Sequence, residues 1–167
     1  MLAVIDGVLY DKVEQKLLCY PAFRKRASFT VPEGIRIIGS QAFFNCSLTS
    51  VTLPEGVVSI EDNAFAFCSL TSISLPGSLE TIGTRAFASS NLSRITIPEG
   101  VTSIGEMAFT WCLDLHSITL PASLTFIGDG AIDSGKDSAS VTIWVPADSY
   151  AAQWCEARGL RCRYDAD

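Results

Sequence analysis

LTSVTLPEGVVSIEDNAFAFC, Leu48 to Cys68, is one copy of a unit that returns every 22 or 23 residues. Pro32, Pro54, Pro76, Pro98 and Pro121 mark one position in it. Ala42-Phe43, Ala64-Phe65, Ala86-Phe87, Ala108-Phe109 and the variant Ala131-Ile132 mark a second. Both sets step by 22, 22, 22 and 23 residues. A fixed period of this length predicts a solenoid, because a unit so small cannot bury its own apolar face and must stack on its neighbours.

Within the unit, Val51 and Leu53 align with Ile73 and Leu75, Ile95 and Ile97, and Ile118 and Leu120, with Thr52, Ser74, Thr96 and Thr119 between them. That alternation predicts a half-buried strand, aliphatics inward and hydroxyls outward. Successive copies run the same way and should pair as a narrow parallel sheet. The proline after each strand cannot donate to the ladder and ends it. Glu33-Gly34, Glu55-Gly56 and Glu99-Gly100 then read as turns, and Ile60, Ile82, Ile104 and Ile127 as a second short strand. The Ala-Phe segment, Thr84 to Ala88 for example, is long enough for one helical turn. Phe43, Phe65, Phe87 and Phe109 are expected to stack as the centre of the core, with the small Ala42, Ala64, Ala86 and Ala108 letting the turns approach.

The ends depart from the repeat. GVLYDK and KLLCYP predict a hairpin around Asp11 to Lys16, whose Val8, Tyr10, Leu17 and Tyr20 cover the first repeat. The basic run Phe23 to Arg26 reads as a solvated connection. Asp133 to Ser140, DSGKDSAS, predicts an exposed loop. VTIWVP predicts a last strand, followed by a helix capped by Asp148 or Ser149, running to about Arg158 and stopped by Gly159, and then a short strand from Leu160 to Tyr164. The expected organisation is one domain over 1–167: hairpin cap 1–28, repeats 29–140, C-terminal cap 141–167. Its class is α/β and β-dominated.

The 167 residues are 48% hydrophobic with a net charge of −6, which supports a continuous core and argues against nucleic-acid or anionic-membrane binding. No apolar run has the length of a membrane span, so no membrane insertion is expected. The MLAVIDGVLY start does not resemble a signal peptide, so the chain reads either as cytoplasmic or as the C-terminal part of an exported protein. Cys46, Cys68 and Cys112 share one column with Ser90, which marks a small-residue packing slot and favours free thiols. A Cys155–Cys162 bond stapling the C-terminal cap is the competing arrangement there. With one histidine and no C-x-x-C, a metal site has little support.

The motif L-x-x-[IV]-x-[IL]-P-x-x-[VL]-x-x-I-G-x-x-A-F-x-x-C, seen in SLTSVTLPEGVVSIEDNAFAFC, closely resembles the BspA-like leucine-rich repeat family. The resemblance runs from Phe29 to Ala131. The hairpin and VTIWVPADSYAAQW also match segments frequent at the ends of such arrays. It implies a right-handed leucine-rich-repeat solenoid of about five repeats, a bacterial surface or secreted location, and adhesion or protein binding. It supplies no catalytic residue and no cofactor. Glu61 in the glycine slot and Ser90 in the cysteine slot depart from the motif.

Chemistry finds weak candidates. Cys112 and His116 are four apart, but the repeat frame points the thiol to the core and the imidazole elsewhere, with no orienting carboxylate. Glu33, Glu55 and Glu99 form a column interrupted by Gly77 and Ala122, too sparse for calcium. A binding surface fits better. The sheet face offers small hydroxyls flanked by Arg94 and His116. The positions beside the Ala-Phe turn carry Phe44, Phe67 and Trp111, which either pack over neighbouring turns or, with Arg94, form the adhesive part. The expected partner is a protein, such as a host extracellular or surface protein, with a glycan second. The chain itself is expected to be a monomer. The alternative role is a spacer presenting an N-terminal region.

Overall fold

The computed structural model describes residues 1–133, 135 and 140–164, so most of the expected 133–140 loop lies outside the described residues. Each repeat contributes three stacked ladders. The first comes from the strand before the proline: β4 (Ser28–Thr30), β6 (Ser50–Thr52), β8 (Ser72–Ser74), β10 (Arg94–Thr96), β12 (Ser117–Thr119) and β14 (Thr142–Val145). The second comes from two-residue strands: β5 (Ile37–Ile38), β7 (Ser59–Ile60), β9 (Thr81–Ile82), β11 (Ser103–Ile104) and β13 (Phe126–Ile127). Both are parallel, in register from repeat to repeat: Val51 pairs with Ile73, and Ile60 with Ile82. Ile38, Ile60, Ile82, Ile104 and Ile127 are buried, while Ser59, Thr81 and Ser103 beside them are half-buried, the alternation expected of a sheet with one face on a core.

The two-residue strands make the longer sheet. They continue the N-terminal hairpin, giving the order β1 (Leu2–Ile5), β2 (Val8–Asp11), β3 (Lys16–Cys19), β5, β7, β9, β11, β13. The first ladder, expected as one sheet, is instead divided between β8 and β10. Thr49 and Thr71 each send both N–H and Oγ1 to one carbonyl of the preceding repeat, Ala27 and Thr49. Ser93 makes neither bond, and the strands part there. A cavity of about 370 Å³ lies at the break, lined by Ile73, Leu75, Arg94 and Ile95 among others.

The third ladder is the Ala-Phe segment, built of consecutive turns rather than a turn of helix. Arg85 and Ser89 take φ of 54° and 55°, and the same two columns are left-handed in the other repeats, which no right-handed helix accommodates. Alternate amides bond forward to the next repeat, Phe87 to Ala108 at 2.8 Å and Ser89 to Thr110 at 2.8 Å. Those between bond back within the turn, as Ala88 does to Arg85 at 3.1 Å. Every amide from Arg85 to Ser90 thereby has a partner although the segment is irregular. Inside, Phe43, Phe65, Phe87 and Phe109 stack with centroids 4.9–5.3 Å apart and rings 2–8° from parallel. Tyr20 of the cap begins the same column, 5.4 Å from Phe43.

The hairpin cap buries Val8, Tyr10, Leu17 and Tyr20 as expected. It is also part of the repeat array: Leu17 pairs with Ile38, and the Tyr20 amide bonds Ala42 as a repeat residue does. Arg24 corrects the solvated reading of the basic run. Its guanidinium turns inward over Gly7, where a Cβ would stand 2.7 Å from Nη2, while Phe23, Lys25 and Arg26 stay exposed. Lys16 Nζ reaches Glu61 Oε1 at 2.8 Å, and the other carboxylate oxygen accepts from Ser40 N and Oγ. Glu61 therefore ties the cap to the second repeat.

Burial raises the Glu61 pKa, but the Lys16 ammonium and the two Ser40 bonds outweigh it and hold the carboxyl below its ordinary range. A depressed folded-state pKa contributes stability above the unfolded value, and that stability is lost as pH falls through the folded one. Wild type is accordingly expected to lose more unfolding free energy than Glu61→Gln between about pH 5 and 3. Equal losses in urea titrations at both pH values would show that this tie contributes nothing.

At the other end, α1 (Tyr150–Ala157) is capped by Ser149 Oγ on the Ala152 amide. It closes with Gly159 and Leu160 amides on Glu156 and Cys155 carbonyls, the paired bonds of a left-handed glycine stop. Its Trp154 Nε1 donates to Ile127 O at 3.0 Å and its Arg158 pairs with Asp129 at 2.7 Å, covering the edge of β13. β15 (Cys162–Tyr164) pairs parallel with β14. Cys155 and Cys162 are free thiols in this arrangement, and burial first, then the neighbouring Cys162, pushes the Cys155 thiol up to about 12.

Candidate interaction surface

The residues singled out by the sequence fall in two places. Phe44, Phe67 and Trp111 lie on the turn ladder. Phe67 and Trp111 occupy the left-handed column shared with Asn45 and Ser89, at φ of 57° each. A left-handed backbone suits asparagine and is costly for a bulky aromatic. Neither ring recovers that cost by burial, since Phe67 is 55% exposed and Trp111 61%. Phe44, 40% exposed, meets Phe67 edge-to-face at 5.5 Å, so two repeats share one aromatic ridge. Trp111 rests against Gly135, where a Cβ would stand 2.8 Å from Cε3. Its neighbours Met107 and Leu113 are also exposed.

Sequence reasoning passed over those two. Met107 sits in the left-handed slot held by Gln41, Asn63 and Arg85. Leu113 belongs to the residue pair that lengthens this repeat to 23, and Leu115 takes the buried leucine position in its place.

Arg94 and His116 meet at the head of β10 and β12, away from the aromatic ridge. Arg94 Nε donates to His116 Nε2 at 3.1 Å, and His116 Nδ1 lies 3.1 Å from the Asp114 carbonyl. Nε2 as acceptor fixes Nδ1 as the protonated nitrogen. Cys112 faces the core. Its Sγ lies 3.1 Å from the Phe87 carbonyl and 3.3 Å from Ser90 Oγ, and burial raises its pKa. A buried, bonded thiol and an exposed imidazole held by a guanidinium do not form a nucleophile and base. Ser90 fills this column as another small buried side chain, its hydroxyl meeting the Cys112 thiol of the next repeat.

The glutamate column is a structural interlock. Glu55 Oε1 accepts from Gly77 N at 3.4 Å and Glu99 Oε1 from Ala122 N at 3.0 Å. In return Ser78 Oγ accepts from Gly56 N, and Ser123 Oγ from Gly100 N. The Gly77 and Ala122 positions that break the column are thus the partners of the glutamates before them. Among the described residues, no three metal-ligating side chains converge and no helix is long and apolar enough to cross a membrane.

A family model for the BspA type leucine rich repeat region matches residues 19–137 in six copies. The chain belongs to this family. The first matched residue falls in the hairpin, consistent with β3 acting as part of the array. The fold is similar to the crystal structure of the pneumococcal vaccine antigen PcpA, with a TM-score of 0.76 at 23% identity over 99% of this chain and 48% of that one. It is likewise similar to a leucine rich cell surface protein from Faecalibacterium prausnitzii, with a TM-score of 0.73 at 29% identity over 99% of this chain and 40% of that one. A Treponema pallidum leucine rich repeat protein gives a TM-score of 0.69 at 27% identity, over 86% and 67%. This BspA-type chain spans less than half the length of the first two. No relative was found among curated proteins.

Proposed function

We propose that this chain is a non-catalytic protein-binding module of a bacterial surface or secreted protein, gripping its ligand through Phe44, Phe67 and Trp111. Arg94 and His116 form a second, polar contact on the strand face. The observation that carries the reading is the placement of two exposed aromatics where the backbone favours asparagine. A residue that costs the free protein stability and buries little is retained for what it touches outside. The family supports protein interaction, and the likeness to a protein described as a cell surface protein supports the location. A second reading, a spacer holding other parts of a longer protein, is favoured by the strand face, whose Thr52, Ser74 and Thr96 are small and poor in anchors.

The test is a pull-down with the 167-residue chain against extracellular-matrix and cell-surface proteins, repeated with Phe67→Asn and Trp111→Asn. Binding is expected to fall tenfold or more, roughly 1.4 kcal/mol. Unfolding free energy should stay within about 0.5 kcal/mol of wild type or above it, since relief of the left-handed strain offsets the lost ring contacts. A stability loss with binding intact would make the aromatics structural. No saturable partner at micromolar protein would favour the spacer.

A further inference from the structure

The two ends of the long sheet are treated differently. At β13 the edge is covered by α1, with Trp154 on the Ile127 carbonyl and Arg158 on Asp129. At β1 nothing among the described residues covers the edge. This strand was not read from the sequence, although Asp6-Gly7 between VI and VL is the dipeptide of a two-residue hairpin turn. The structure forms that turn, with φ of 48° and 71°, and pairs Ile5 with Val8, Ala3 with Tyr10 and Leu2 with Asp11. The Lys12 amide bonds the Met1 carbonyl at 2.9 Å. Backbone groups of residues 1, 3 and 5 therefore point to β2, and those of Leu2 and Val4 point outward, unpaired.

That edge is short, and its only charge is the Met1 ammonium at its start, paired with Asp11 at 3.2 Å. Leu2–Ile5 carries no charge, no proline and no bulge, and Leu2 and Val4 are 62% and 67% exposed. We infer that β1 pairs antiparallel with β1 of a second copy, about a two-fold axis through Ala3. Leu2 then faces Val4 of the partner and Val4 faces its Leu2. Each pair exchanges two N–H···O bonds, so the four outward groups of each strand are all satisfied. The occupant is a second copy because the segment complements itself: the axis brings only apolar side chains opposite one another, and the ladder of eight strands continues into an equal ladder across the axis. The inferred pairing departs from the expectation of a monomer.

A four-residue edge buries on the order of half a standard interface, so the association is weak and concentration-dependent. Sedimentation equilibrium of the full chain is expected to show a mass rising from 18.0 kDa toward twice that value between about 10 µM and 1 mM. Val4→Pro removes an outward N–H without touching a bond to β2, and Val4→Lys adds a charge to the edge. Both should stay monomeric over the same range, with wild-type circular dichroism. The Leu2 and Val4 amides should exchange more slowly as wild-type concentration rises, a readout independent of either variant's folding. A monomer throughout, a Val4→Lys dimer as tight as wild type, or a dimer abolished by Phe67→Asn instead would each overturn the assignment.

Discussion

Phe65→Ala is expected to lower the unfolding free energy by about 3–5 kcal/mol, the range for deleting a fully buried phenylalanine. Phe65 is wholly buried, 4.9 Å from Phe43 on one side and 5.3 Å from Phe87 on the other. What places the cost high in that range is the inability of the site to collapse. Phe43 N to Ala64 O at 2.8 Å and Phe65 N to Ala86 O at 2.7 Å set the spacing of the turns, so neighbouring rings cannot close the gap without breaking a ladder. In a solenoid each repeat is stabilised by two interfaces, and a cavity in an inner repeat weakens both. Urea unfolding followed by circular dichroism measures it. A cost below about 1 kcal/mol would mean the column is not the core.

The phenylalanine column was legible because burial dictates it directly: one large apolar side chain per period has nowhere else to go. The same holds for the strand alternation and the C-terminal cap, where Ser149 and Gly159 perform local chemistry that single residues announce. What could not be read lies between repeats. The Glu55–Gly77 and Glu99–Ala122 bonds look like a broken column in sequence, because each partner is defined only by stacking. The division at Ser93 lies in bonds to the preceding repeat that are not made, which no single residue type announces. Phe44, Phe67 and Trp111 were picked out as variable aromatics. The left-handed backbone at Phe67 and Trp111 is a property of the turn ladder and not of any local motif.

Gly105→Ala is expected to cost about 1–3 kcal/mol, through overpacking rather than through backbone freedom. Gly83, Gly105 and Gly128 follow the isoleucine of the second ladder, and unlike Gly34, Gly56 and Gly100 they have no positive φ. They are glycines because the repeats touch there. A Cβ on Gly105 would stand 2.5 Å from the Thr84 amide nitrogen, and one on Gly128 would stand 2.4 Å from that of Glu106. The clash is with backbone, so no side-chain rotation relieves it. The repeats must part at the point where Gly105 N bonds Ile82 O at 2.8 Å. Glu61 occupies the same slot one repeat earlier than Gly83, and its carboxylate gains the bonds of Lys16 and Ser40 in that position. An alanine gains nothing of the kind. Gly34→Ala is the control: its Cβ meets nothing within 4 Å, and at φ of +84° it is penalised by conformation alone. Hydrogen exchange should show the Gly105 amide opening faster in Gly105→Ala, and unchanged in Gly34→Ala. If the two variants lose the same stability with no change at the Gly105 amide, close contact between repeats is not what the slot requires.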